Sequence, residues 1–107
     1  MILSTLRITA ASGQEDDVAF TLASLLGPTR VEPGCEGCHI YADVTADNVW
    51  IMQTEWRTWE ELNRHLRSDR YRQILALMEL SAAPPDVRFH EVCETVGIEH
   101  VQAIRMR

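Results

Sequence analysis

Residues 35–56 read CEGCHIYADVTADNVWIMQTEW, and the fold turns on how this stretch is read. CHIYADV and NVWIMQTEW are both rich in strand-forming residues, and Asp47 and Asn48 between them supply turn chemistry, so they predict an antiparallel hairpin. Side chains on a strand alternate between faces. Val49, Ile51, Gln53 and Glu55 therefore share one face, and Trp50, Met52, Thr54 and Trp56 the other. Large apolar residues on both faces exceed what a sheet covered on one side needs, which points to a second subunit on the outer face.

Upstream, ILSTLRITA (residues 2–10) alternates as a strand, with Ile2, Leu6 and Ile8 together. Ser12 and Glu15 have capping-box spacing, and Asp16 and Asp17 suit a helix N-terminus. Val18, Leu22, Leu25 and Leu26 make an apolar stripe, predicting a helix from about Gly13 to Leu26 that Gly27-Pro28 ends or kinks, with TRVEPG as a loop. Downstream, Thr58 and Glu61 form a second capping box before a short helix whose apolar side carries Trp59, Leu62 and Leu66. Ser68 or Asp69 caps a third helix, in which Tyr71, Ile74, Leu75 and Met78 share a face. SAAPPD breaks it. VRFHEVCE then alternates Val87, Phe89 and Glu91 against Arg88, His90 and Val92 as a last strand. Residues 1–95 are expected to form one domain, and residues 96–107 a tail or extra strand in contact with a partner subunit. The order strand, helix, strand, strand, helix pair, strand is the ferredoxin-like split β-α-β arrangement, an α+β fold with an antiparallel sheet.

A chain of 107 residues buries roughly two-thirds of its unfolded surface and can build a core without metals or disulfides. Its net charge is −6, with Lys and Arg scattered among acids; the basic stripe that phosphate backbones require is missing, which argues against nucleic acid. No segment approaches the roughly eighteen apolar residues of a membrane span. Arg7 interrupts the N-terminal apolar run, and no positive charge precedes it, so no secretory signal is read and a reducing cytoplasm is expected.

CEGCH matches the C-x-x-C-H pattern of covalent haem attachment. On an extended strand, a spacing of three sends Cys35 and Cys38 to opposite faces, which favours neither haem nor a dithiol; a turn at Gly37 is what would bring them together. Zinc needs about four ligands, and beyond this pair only His39, His90 and Cys93 are available, without a second close pair. Cys38 reads most simply as a small apolar residue opening a buried face. No metal and no cofactor are expected.

Three stretches, PTRVEPGCEGCHIYADV, TEWRTWEELNRHLRSDRYRQIL and PPDVRFHEV, share a pattern. They carry a P-G-C before the second strand, a strand ending in Glu-Trp, a helix with x-x-L-x-x-H-L, a Ser-Asp break before an aromatic, and a closing V-x-x-x-E-V. In order and spacing this resembles the antibiotic biosynthesis monooxygenase domain family over residues 2–93. The resemblance implies a ferredoxin-like protomer that dimerises through its sheet into a dimeric α+β barrel. It also implies a pocket between helices and sheet and, in several members, oxidation of quinols or polyketide phenols by O₂ without metal or flavin. The haem-degrading branch uses an asparagine on the first strand and a histidine in the third helix; this chain has neither.

His65 matches a position where the family often has histidine, and imidazole titrates in the range a general base needs. Tyr71 reads as a wall residue with a hydroxyl able to orient a substrate oxygen. Trp56 and Met52 share a strand face and suit an apolar cavity, and Trp59 is a further aromatic candidate for substrate binding. Glu55 reads as a structural or interface carboxylate, and Arg7 and Arg88 as solvated or cross-strand paired. The expected activity is cofactor-independent monooxygenation of a small aromatic, quinol-like or polyketide-like substrate by O₂, with His65 as base. The alternatives are a non-catalytic dimeric module binding a small hydrophobic ligand, and an isomerase or lyase acting on a small carbonyl compound, which would need several charged groups converging.

Overall fold

The computed structural model describes residues 1–107. Its elements are β1 (Ile2–Thr9), α1 (Glu15–Arg30), β2 (Cys35–Ala42), β3 (Val49–Trp56), α2 (Trp59–Leu66), α3 (Asp69–Met78), β4 (Asp86–Glu91) and α4 (Ile98–Arg105). The sheet runs in the order β2-β3-β1-β4, and each adjacent pair is antiparallel. The expected α+β, ferredoxin-like arrangement is present: β3 inserts between β1 and β2, the two strands that α1 joins.

One face of the sheet carries the core. Ile2, Leu6 and Ile8 of β1 pair with Trp56, Met52 and Trp50 of β3. The stripe Val18, Leu22 and Leu25 of α1, together with Ile74 and Leu77 of α3, closes over Leu6, Ile8, Cys38 and Met52. A second, smaller cluster joins Ile2, Trp56 and Leu62. Each such side chain removed from water stabilises the fold by about 1.5–3 kcal/mol. In α3 it is Leu77 that turns inward, while Leu75, expected on the buried face, lies half exposed.

The first helix departs from expectation at both ends. It has Gln14 as N-cap without a side-chain bond; Ser12 does not cap it, and the Glu15 carboxylate instead accepts from the Gly13 N–H at 2.9 Å. At the other end it runs through Gly27-Pro28 to Arg30. A helix proline deprives the carbonyl four residues earlier of its bond, but Ser24 and Pro28 both lie on the solvent-exposed side of the helix, where losing one bond costs least. The last turn is anchored by buried Thr29 and by Arg30, whose Nε and Nη2 donate to the Cys38 carbonyl at 3.1 and 2.8 Å.

β2 begins at Cys35, earlier than expected, because a bulge lies between Cys35 and Gly37. The extra residue resets the pleat. Cys35 stands opposite Trp56 and Cys38 opposite Thr54, so both cysteines occupy the core-facing side, and the opposite-face expectation is corrected. Both are thiols. Burial, then neighbouring Cys35, pushes the Cys38 thiol up to about 11; burial likewise raises Cys35. Since the thiolate is the reactive form, maleimide at pH 8 is expected to label exposed Cys93 rapidly, Cys35 slowly and Cys38 only after denaturation. Rapid labelling of two thiols in the folded chain would contradict this packing.

The hairpin loop is held by Asp43, whose carboxylate accepts from the Thr45 N–H (2.8 Å), the Thr45 hydroxyl (2.6 Å) and Arg7 Nη1 (2.9 Å). The Thr45 hydroxyl, then the Thr45 N–H and Arg7, lower its pKa to about 2. This contribution is present at neutral pH and is lost as pH falls from the ordinary value near 4 toward 2.

The expected tail or extra strand is corrected in part: Ile98–Arg105 form a helix, α4, none of whose residues is buried. The radius of gyration is 15.8 Å, against about 13 Å for a compact domain of this length, because this arm projects from the body. No helix is long and apolar enough to cross a membrane.

Candidate active site

His65 lies in the last turn of α2 and Tyr71 in the first turn of α3, and one hydroxyl ties the two together. Ser68 Oγ donates to the His65 carbonyl at 2.7 Å and accepts from the Tyr71 N–H at 3.2 Å. α2 itself starts where Thr58 accepts from the Glu61 N–H, as its sequence predicts. This local geometry turns both rings toward the sheet.

The two rings meet Met52 and Thr54 of β3, Ser4 and Leu6 of β1, Ile74 of α3 and Val87 of β4 around a narrow cavity. Its free volume is about 20 Å³, room for one water-sized molecule. Behind the wall, Trp56 is fully buried, and its indole N–H donates to Thr54 Oγ1 at 2.9 Å. The Trp56 ring stacks on His65 with centroids 4.6 Å apart, while Tyr71 meets His65 edge-on at 5.3 Å. His65 is thus gripped between two aromatics and is 3% exposed.

The imidazole has one further partner. Both carboxylate oxygens of Glu32 lie near Nδ1, at 3.0 and 2.9 Å, and Arg70 Nη1 flanks the same carboxylate at 3.6 Å. Glu32 sits in the turn after α1, where its N–H donates to the Thr29 carbonyl and its own carbonyl accepts from the Cys35 N–H, each at 3.1 Å. Burial raises the Tyr71 phenol pKa, which keeps its hydroxyl protonated at neutral pH.

Of the residues singled out in the sequence, His65, Tyr71 and Met52 line the cavity and Trp56 backs it. Trp59 lies apart, 40% exposed on the outer side of α2. Glu55 stands on the opposite sheet face, across from Gly37 and Leu3, and Arg88 pairs with Asp86 at 3.0 Å. Sequence reading misses Thr54 as a polar wall group and Glu32 altogether. The alternation that groups Thr54 with Met52 and Trp56 is a signal for the first. Glu32 has no comparable local signal, because its contact spans 33 residues.

The family model described as "Antibiotic biosynthesis monooxygenase" matches residues 1–77. An uncharacterised protein of Synechocystis is 27% identical over 73 residues, 67% of this chain and 50% of its own length; the chain therefore spans half of that curated relative. Among solved structures, a provisionally named antibiotic biosynthesis monooxygenase of Deinococcus radiodurans superposes with a TM-score of 0.83 at 20% identity, over 92% of this chain and 98% of its own. A Mycobacterium tuberculosis protein gives 0.81 at 18%, over 90% and 98%. A variant of SnoaB, a cofactor-independent oxygenase of Streptomyces nogalater, gives 0.75 at 17%, over 89% and 95%. At these identities the structural likeness shows a shared fold.

Proposed function

We propose, from the premise that the chain belongs to the antibiotic biosynthesis monooxygenase family, that it is a cofactor-independent monooxygenase of a quinol-like or polyketide-like aromatic substrate. What carries the reading is the placement of His65, a buried imidazole facing an otherwise largely apolar cavity. His65 takes a proton from the substrate's acidic O–H or C–H. The resulting anion passes one electron to O₂, and the radical pair joins as a peroxide. The O–O bond then breaks, leaving one oxygen on the carbon and the other in water. Desolvation by the apolar wall and positioning by Tyr71, with Trp56 holding the His65 ring from behind, are the protein's contribution. For an aromatic ring to enter, the cavity must widen at α3 or at β4, which pairs only with β1.

Only His65 and Tyr71 bring titratable groups to the wall. This supports proton abstraction over the carbonyl isomerase or lyase reading, which needs several converging charges. The test is O₂ uptake by metal-stripped protein across a panel of hydroquinones and anthrones. Uptake without added iron or flavin is expected. Uptake that depends on either would reject the cofactor-free chemistry, and no uptake at all would favour a binding module.

The assembly proposed is a homodimer through the outer sheet face, where Leu3, Tyr41 and Ile51 lie, with α4 packed on the partner. An isolated eight-residue helix is marginal in water, and α4 leaves Ile98, Val101 and Ile104 exposed. Sedimentation at micromolar concentration is expected to give the dimer mass; a monomer would reject it. A cytoplasmic location is proposed on the sequence grounds alone.

A further inference from the structure

We propose that Glu32 is the positioning residue that makes His65 a base, an inference that rests on the monooxygenase reading above. A carboxylate only accepts hydrogen bonds. With both Glu32 oxygens within 3.0 Å of Nδ1, the neutral ring keeps its proton on Nδ1, and the lone pair is left on Nε2. Nδ1 is the nitrogen turned away from the cavity, since Glu32 is not part of the wall while the His65 ring is. Nε2 has no hydrogen-bond partner within the chain, and Trp56 and Tyr71 hold the ring plane. The nitrogen free to accept a substrate proton is therefore the one presented to the cavity.

Glu32 is itself held. Backbone bonds on both sides fix its turn, and Arg70 steadies the carboxylate from its outer flank. When Nε2 takes a proton, the imidazolium forms against a carboxylate already in place, so the new charge is met without rearrangement. Glu32 touches neither substrate nor reacting atoms. Its removal should slow the chemical step and leave substrate binding nearly unchanged.

Two readouts test this. In ¹⁵N-histidine-labelled protein, NMR of the neutral His65 ring is expected to show the proton on Nδ1, and Glu32→Ala to redistribute it between the nitrogens. A wild-type ring protonated on Nε2 would overturn the proposal. With a substrate found by the O₂-uptake panel, Glu32→Ala should lower kcat roughly 10²-fold while KM changes less than about 2-fold. Glu32→Gln, whose amide oxygen still accepts from Nδ1–H and whose shape is unchanged, should recover part of the loss. An unchanged kcat in Glu32→Ala, or a loss confined to KM, would also overturn it. If no compound on the panel is consumed, the monooxygenase reading falls, while the tautomer measurement still decides whether Glu32 directs Nε2 to the cavity.

Discussion

Replacing Gly34 with alanine is expected to lower the stability of the fold by about 2–4 kcal/mol, with two causes that can be measured apart. Gly34 has φ +80, a left-handed conformation that costs a residue with a Cβ about 1–2 kcal/mol. The added Cβ would also overlap Glu61 Oε2 and stand 2.6 Å from Glu61 Cβ. Contact with the Cβ as well as the carboxyl end means that rotating the tip of Glu61 is not enough to clear the space. Glu61 is buried, its Oε1 accepts from Arg57, and its Oε2 has no partner; displacing it breaks that ion pair and disturbs α2. Gly13 is the internal control, since it has φ +87 but nothing within 4 Å of where an alanine Cβ would sit. Urea denaturation should find Gly13→Ala costing only the conformational part, about 1–2 kcal/mol, and Gly34→Ala clearly more. In a Glu61→Ala background the excess at Gly34 should shrink. Equal losses at the two glycines would show that the close approach of Glu61 carries no energy.

Gly34 lies two residues from Glu32 and just before Cys35, so the turn that demands glycine also sets the carboxylate on His65. How much of this is legible in the sequence follows from the range of each interaction. The hairpin, the β1 face of Ile2, Leu6 and Ile8, the α1 stripe and the Thr58 and Ser68 caps depend on neighbours a few residues apart, and alternation, period and capping chemistry reveal them. The phase of β2 escapes such a reading because one unpaired residue, Glu36, shifts the pleat, and a bulge has no obligatory residue pattern. Gly27-Pro28 reads as an end or a kink because the rule counts the orphaned carbonyl as a cost, whereas Ser24 and Pro28 lie on the exposed side of α1, and the helix continues to Arg30. Trp59 joins the cavity aromatics on size alone; its place at the start of α2 leaves it outside. His65 stands out through the family resemblance, Tyr71 through its helix face, and Met52 and Trp56 through strand alternation. Glu32 emerges only when the turn after α1 is brought against α2.

Changing His65 to glutamine is expected to reduce kcat by about 10²–10⁴-fold, equivalent to about 3–5 kcal/mol of barrier, with little loss of stability. Glutamine keeps an N–H that can donate to Glu32 but offers no group that takes up a proton near neutral pH. His65→Ala is the harsher change. It removes the donor from a Glu32 side chain that is only 12% exposed, leaving Arg70 at 3.6 Å as the nearest counter-charge, and it opens a void beside Trp56. That variant should also lose about 1–3 kcal/mol of stability, so a fall in its activity would mix two effects that the glutamine variant separates. Tyr71→Phe completes the comparison. The two rings meet edge to face, so phenylalanine preserves the wall, and burial, which raises the phenol pKa, already keeps Tyr71 protonated at neutral pH. Its expected loss is less than about 10-fold. O₂ consumption in single turnovers, with thermal melts on the same samples, separates the cases: if Tyr71→Phe is as damaging as His65→Gln, the proton passes to tyrosine and the base must be reassigned.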